Sequence, residues 1–280
     1  VKPLIVNNLE IRLAETDREV DASLALRYRI FYEEMGAKAT PRVLATERDF
    51  DPYDEFCDHL LVIDRDRGSA AHPCVVGTYR LLRGEVADDY AGFYSESEFE
   101  LGPLIYRSGQ VLELGRSCID SNYRSRGTMQ LLWRGIADYV FAHSIRYMFG
   151  CASIPGINPS DMKLPLSYLY HHHLAPRPIR THALEERFVD MNMMAKDTID
   201  VGQALRELPP LIKGYLRVGG VVGDGAVIDY DFNTVDVNII VETENVTAKY
   251  LNHYTRDNDK AAGQETRQET DKVTAQGTAA

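Results

Sequence analysis

A glutamate and an arginine stand three residues apart in an otherwise apolar run, Val111-Leu112-Glu113-Leu114-Gly115-Arg116-Ser117-Cys118-Ile119. A carboxylate beside a guanidinium can accept a proton next to a held anion, which is acid–base chemistry. Residues i and i+3 of a regular strand face opposite sides. Glu113 and Arg116 therefore meet only across a bulge, and Gly115 between them is the residue expected to permit one. A bulge also frees a backbone N–H for a developing oxyanion. Such a bulge would leave Glu113 beside that site.

The same stretch runs on into Tyr123-Arg124-Ser125-Arg126-Gly127 and then an apolar helical pattern from Met129. The first N–H groups of a helix lack intrahelical partners and attract phosphate, and glycine lets the backbone approach it. Arg124, Arg126 and Gly127 are candidate phosphate ligands. A solvated turn would carry the same residues, and spacing alone does not choose.

Three arginines occur in apolar settings: Arg27, Arg80 and Arg116. Asp51, Asp54 and Glu113 are the acids placed to answer them. Buried charge is costly unless paired, so these six meet one another or a charged ligand. An ion network and a substrate site both satisfy that demand.

Other constellations carry less. Successive helical residues point about 100° apart, so His171, His172 and His173 cannot share one metal ion. His59 and Asp64 bracket Leu-Leu-Val-Ile, a strand that would hold them roughly 16 Å apart. Cys57, Cys74, Cys118 and Cys151 are scattered, with no C-x-x-C, and suit a reducing compartment without a metal site. The chain holds no P-loop, G-x-S-x-G or G-x-G-x-x-G.

The positioning elements are read from periodicity. Strands are expected at 9–13, 59–64, 75–83, 111–119 and 146–154, with a strand–turn–strand over 221–241. Helices are expected at 20–35 (Asp17 as cap), 128–143, 161–173, 184–194 and 243–254. Residues 209–218 form a short apolar segment, and 84–110 an excursion with one short helix. The order implies a mixed α/β sheet, antiparallel early and parallel later. A core over about 9–155 and a C-terminal extension over about 156–255 form one domain. Residues 256–280 are polar and expected to be disordered.

The 280 residues are 44% hydrophobic, enough for a sizeable core, and the net charge of −11 argues against a nucleic-acid partner. No apolar run of ~18 residues suggests a membrane span. The beginning has no signal-peptide pattern, which fits a cytoplasmic chain.

Taken in order, LALRYRIFYEEMGA, FDPYDEFCDHLLV, VVGTYRLLR, VLELGRSCI, YRSRGTMQLLWRGIADY, MFGCASIPG and LPPLIKGYLRVGG resemble the bacterial L-ornithine N-alpha-acyltransferases. The resemblance spans about residues 10–254. It implies transfer of a 3-hydroxyacyl chain from acyl carrier protein to the α-amine of L-ornithine, giving lyso-ornithine lipid. Acyl-homoserine-lactone synthases share the pattern matched here by Arg27, Asp51, Asp54, Arg80, Glu113 and Arg116. Such a synthase, or another amino-acid N-acyltransferase, is the alternative. Both families imply the GNAT-like fold: a mixed central sheet with flanking helices, here with a C-terminal extension, and two central strands that splay to admit a pantetheine arm. The usual pyrophosphate loop of that fold ends in Gly or Ala, and Met129 stands there. A carrier-protein arm, with its single phosphate, suits this loop.

The resemblance assigns Glu113, Arg116, Asp51 and Asp54 to the catalytic set, with Glu113 as the candidate base and Asp51 and Asp54 holding ornithine's ammonium groups. It assigns Arg27 and Arg80 to substrate, and Arg124, Arg126 and Gly127 to the phosphopantetheine phosphate. Leu112, Leu114, Phe149 and Cys151 lie on the strands expected to splay around the acyl chain. It implies no resident cofactor, since the donor brings its own arm, and transient contact with the inner membrane face.

Overall fold

The computed structural model describes residues 2–90, 92–106 and 110–244. β1 (Leu4–Val6), β2 (Leu9–Leu13), β3 (Asp58–Asp64), β4 (Val75–Arg83), β5 (Phe99–Glu100), β6 (Val111–Ile119), β7 (Tyr147–Pro155), β8 (His182–Ala183), β9 (Val221–Asp229) and β10 (Thr234–Glu242) form one sheet. Their order is β1-β2-β3-β4-β6-β7-β10-β9-β8-β5.

The expectation of a parallel later half is corrected. β7, β10 and β9 run antiparallel, and the parallel contacts among the described residues are β6–β7, a single β8–β9 pair and an isolated bridge between Leu174 and Val222. A tight turn joins β9 to β10, and hairpins are antiparallel by construction.

α1 (Asp17–Tyr28) is capped by Thr16, not by Asp17: Thr16 and Glu19 form a reciprocal capping box. The helix then loosens into a π-helical turn, Arg29–Glu34, and Gly36 ends it at φ 77°. α2 (Pro41–Thr46) follows. The excursion over 84–110 carries α3 (Gly84–Asp89), a 3-10 turn at Tyr94–Ser97, and α4 (Gly102–Ile105).

α5 (Arg126–Ala142) presents Leu132, Trp133, Ile136, Tyr139 and Val140 to one face of the sheet. α6 (Lys163–His173) and α7 (Val201–Glu207) cover the same core. The segment 209–218 is α8 (Pro210–Arg217), which brings Tyr215 against Trp133 at 5.0 Å between ring centroids.

The helix expected over 184–194 is absent. Its residues suit a helix, but after a 3-10 turn Val189 exchanges backbone hydrogen bonds with Ala226 of β9, so tertiary pairing overrides local preference. Residues 245–254 of the expected last helix, and the tail, lie outside the described residues.

Candidate active site

β6 and β7 pair over only three positions, Val111–Tyr147, Leu112–Met148 and Glu113–Phe149, and then part. β6 stays registered with β4, and β7 with β10. The gap therefore lies between two intact half-sheets. At its root the two backbones cross closely: a Cβ on Gly150 would overlap the Leu114 carbonyl. Only glycine fits there.

β6 also bulges, one step later than the glycine suggested. Thr78 faces Cys118 and Arg80 faces Gly115, so Tyr79 alone opposes Arg116 and Ser117. Arg116 takes the left-handed conformation, φ 50°, while Gly115 does not. That conformation costs a non-glycine residue roughly 1–3 kcal/mol and persists only where the surroundings fix it. Here Arg116 Nη2 donates to Asp51 Oδ2 at 2.8 Å, Nε lies 3.2 Å from Asp49 Oδ2, and the guanidinium lies over Tyr94 and Phe232.

The arginines close a network with three aspartates. Arg27, 0% exposed, donates to Asp49 Oδ2 (2.6 Å) and to both oxygens of Asp54 (2.6 and 3.1 Å). Arg80 Nη1 donates to Asp51 (2.5 Å) and Asp54 (3.2 Å). Three cations thus face three anions. Burial alone would raise the Asp54 and Asp49 carboxyls, but the guanidinium groups outweigh it and hold both below the usual range. Asp49 is the acid that sequence reasoning missed. It replaces Glu113 in the expected set of partners.

Glu113 instead binds the turn over Tyr94–Ser97. Its oxygens accept from Tyr94 N–H (3.0 Å), Ser95 N–H (2.8 Å) and the Ser95 hydroxyl (2.5 Å). The side chain is 5% exposed, and burial pushes its pKa up against those hydrogen bonds.

A cavity of about 1120 Å³ runs through the gap. On one face of the sheet it meets Arg80, Tyr94, Ser95, Glu113, Arg116, Cys151 and Asp236. On the other it meets Met129, Trp133, Leu211, Tyr215, Val218 and Ile239, all packed in the core below α5 and α8. The cavity has a charged chamber and an apolar one, joined where the strands part. Leu114, Phe149 and Cys151 line it as expected of the splayed strands. Leu112 lies in the paired stretch and does not.

Of the expected residues, Arg80, Glu113, Arg116 and Arg124 reach the cavity. Arg27, Asp51 and Asp54 are absent from its wall and act on it through Arg80 and Arg116. Arg124 sits at the mouth, with Nε on the Ile119 carbonyl (3.0 Å) and Nη2 on Glu34 (2.7 Å). Arg126 opens α5, but its side chain lies outside what the structure describes. Gly127 follows in the first turn, where the N-cap Ser125 hydroxyl accepts from Thr128 N–H.

The other candidates are accounted for locally. His171 Nε2 meets the Met194 carbonyl (2.9 Å) and His173 Nε2 the Tyr168 hydroxyl (3.0 Å). His59 and Asp64 sit at opposite ends of β3. Asp64 accepts from Tyr123 and Asn8. All four cysteines are free thiols. Burial, then the charge of Glu98, raises the Cys151 thiol well above its ordinary pKa, which disfavours a thiolate nucleophile. Among the described residues no helix is long and apolar enough to cross a membrane.

Comparison with known proteins identifies the family. A family model described as Acetyltransferase (GNAT) domain matches residues 26–134, from within α1 to midway along α5. The solved acyl-homoserine-lactone synthase LasI is 15% identical, with 84% of this chain and 90% of that chain covered, at a TM-score of 0.45. An L-ornithine N(alpha)-acyltransferase of Agrobacterium fabrum is 42% identical over 89% of this chain and 86% of its own. Its counterpart in Rhizobium meliloti is 45% identical over 90% of this chain and 86% of its own. With such identity along nearly its whole length, the chain belongs to the L-ornithine N(alpha)-acyltransferase family.

Proposed function

We propose that this protein acylates the α-amine of L-ornithine, taking the acyl group as a thioester from acyl carrier protein. The observation that carries the reading is the two-chambered cavity through the β6–β7 gap, in a chain whose relatives bear that name. The apolar chamber suits an acyl tail. The charged chamber suits an amino acid. The thioester lies where they join.

The neutral α-amine attacks the thioester carbonyl carbon. A C–N bond forms, the C–S bond breaks, and the proton the amine releases ends, by way of Glu113, on the leaving thiolate. The amine proton needs an acceptor. Ser95 faces the cavity and already donates to Glu113 at 2.5 Å. The proton passes to the Ser95 oxygen as its own proton moves to Glu113. Burial raises the proton affinity of Glu113, which suits this role. Arg116 and Arg80 bring positive charge to the carbonyl oxygen and the amino-acid carboxylate. Asp51, Asp54, Asp49 and Arg27 position those two guanidinium groups.

The first turn of α5, with Arg124, Arg126 and Gly127, takes the phosphate of the pantetheine arm. Arg124 then exchanges Glu34 for that phosphate. Carrier proteins are acidic, and a local basic patch on an acidic chain steers their docking.

The test supplies purified protein with 3-hydroxyacyl carrier protein or the matching acyl-coenzyme A, and ornithine, lysine, glycine or S-adenosylmethionine. Products are read by mass spectrometry. Acyl-ornithine formed from the carrier-protein donor is expected. Acylation of S-adenosylmethionine but not ornithine would overturn the reading in favour of a homoserine-lactone synthase. Equal use of acyl-coenzyme A would overturn the donor.

A further inference from the structure

The charged chamber contains a second acidic group that the chemistry above leaves unused. β10 places Thr234, Asp236 and Asn238 on one face of the sheet, opposite Pro155, Ser153 and Cys151 of β7. The next pair along that face, Ile240 and Phe149, is apolar, as are Val111 and Val227. A polar lane therefore interrupts a hydrophobic sheet face, in the interior, where unpaired polar groups are costly.

Asp236 is 4% exposed, yet it lines the cavity, and its Oδ1 has no hydrogen-bond partner. Glu98, 3% exposed, stands behind it. The Cys151 thiol lies 3.2 Å from Glu98 Oε2, and Asp236, Glu98 and Cys151 each bring a ligand atom within 4.8 Å of the others. The neighbouring charges are Arg187, 3.6 Å from Glu98 Oε1, and Asp229. Arg187 also donates to the Ser97 and Ile228 carbonyls. One guanidinium thus faces three carboxyls. Burial first, and then mutual repulsion, raises the Glu98 carboxyl, and burial raises that of Asp236. Carboxyls outnumber the single guanidinium there.

We propose that Asp236, backed by Glu98, holds the side-chain ammonium of the acceptor amino acid. The inference rests on the acyltransferase reading and adds the site that distinguishes a diamino acid from a plain one. The placement fits. Cys151 Sγ lies 3.3 Å from Ser95 Oγ, so the cradle adjoins the group assigned to the α-amine proton. A short methylene chain bridges the two. An ammonium suits the site better than a metal ion, because Arg187 already supplies positive charge 3.6 Å from Glu98 and a metal would also have to displace the buried Cys151 proton.

The experiment compares ornithine with norvaline, which lacks the side-chain amine, on wild type, Asp236→Asn and Glu98→Gln. For ornithine, Asp236→Asn is expected to raise KM by roughly tenfold or more with kcat changed by less than about threefold. Norvaline kinetics stay as in wild type. Glu98→Gln moves the same ratio in the same direction and decides the matter if Asp236→Asn does not fold. An unchanged ornithine-to-norvaline preference overturns the proposal. So does an equal loss of kcat on both amines, which would put Asp236 in the chemistry, or a preference abolished by chelator and restored by a divalent cation. If wild type acylates neither amine, the acyltransferase reading fails by itself. Calorimetric binding of ornithine and norvaline to the wild-type protein then reads the cradle directly, and equal affinity overturns it.

Discussion

The Ser95 hydroxyl donates a 2.5 Å hydrogen bond to Glu113 Oε1, tying the turn after α3 to the strand at the root of the gap. Both residues face the cavity. If they act as one proton-transfer unit, removing either costs rate more than affinity. Ser95→Ala and Glu113→Gln should each lower kcat by about 10²-fold or more with modest change in the ornithine KM. Steady-state kinetics across pH check this. A Ser95→Ala enzyme with wild-type kcat would exclude the relay.

The closed arginine–aspartate network makes a separate claim on stability. Asp49→Asn leaves Arg27 and Arg116 without a shared counter-charge in a buried site. A loss of about 3–5 kcal/mol in urea unfolding is expected. A loss under about 1 kcal/mol would mean that the network relaxes freely.

The network also sets acid behaviour. Asp49 and Asp54 have folded-state pKa values held below the unfolded value, so their contribution is complete above about pH 4 and is lost as pH falls. Glu98 goes the other way. Its carboxyl is pushed up to about 7 from an ordinary 4.5, by burial and then by Asp236. Its contribution is present below pH 4.5 and fades as pH rises through 7, on the order of 1–3 kcal/mol. Thermal unfolding of Glu98→Gln should lack that decline, and ornithine should stabilise wild type most at high pH. Parallel wild-type and Glu98→Gln curves would contradict the assignment.

Gly150 has a steric role. Gly150→Ala puts a methyl group against the Leu114 carbonyl at the point where β6 and β7 part. Destabilisation of about 1–3 kcal/mol is expected, with acyl transfer falling further than stability explains. Transfer assays on the folded fraction at low temperature separate the two effects.

The apolar chamber should measure chain length. Ile239 and Val218 face it from β10 and the end of α8. Val218→Phe is expected to lower kcat/KM for long acyl donors by at least about tenfold while sparing shorter ones. A uniform loss across donors would place the tail elsewhere.

The sequence made β6, the basic turn and the buried arginines legible, because charge inside an apolar run has few explanations. The bulge was legible in kind but misplaced. Gly115 suggested it, yet the arginine held by Asp49 and Asp51 takes the positive φ. Asp49 stayed hidden in an irregular polar stretch with no periodicity to mark it. Asp236 and Asn238 were hidden by their regularity. Polar residues alternating with Val235, Val237 and Ile239 look like the wet side of a two-faced strand, and only the neighbouring strands and loops reveal that both sides are covered. Ser95 lay in an excursion whose position depends on Glu113, sixteen residues beyond the turn's end by chain and adjacent to it in space.

The C-terminal hairpin has a consequence for how the protein is made. β10 lies between β7 and β9, so a cavity wall, Asp236 included, is the last strand of the described sheet to leave the ribosome. Until then β7 is an open edge carrying Met148, Phe149 and Ile154, a template for wrong pairing. The nascent chain can assemble its ion network early and still be unable to hold either substrate.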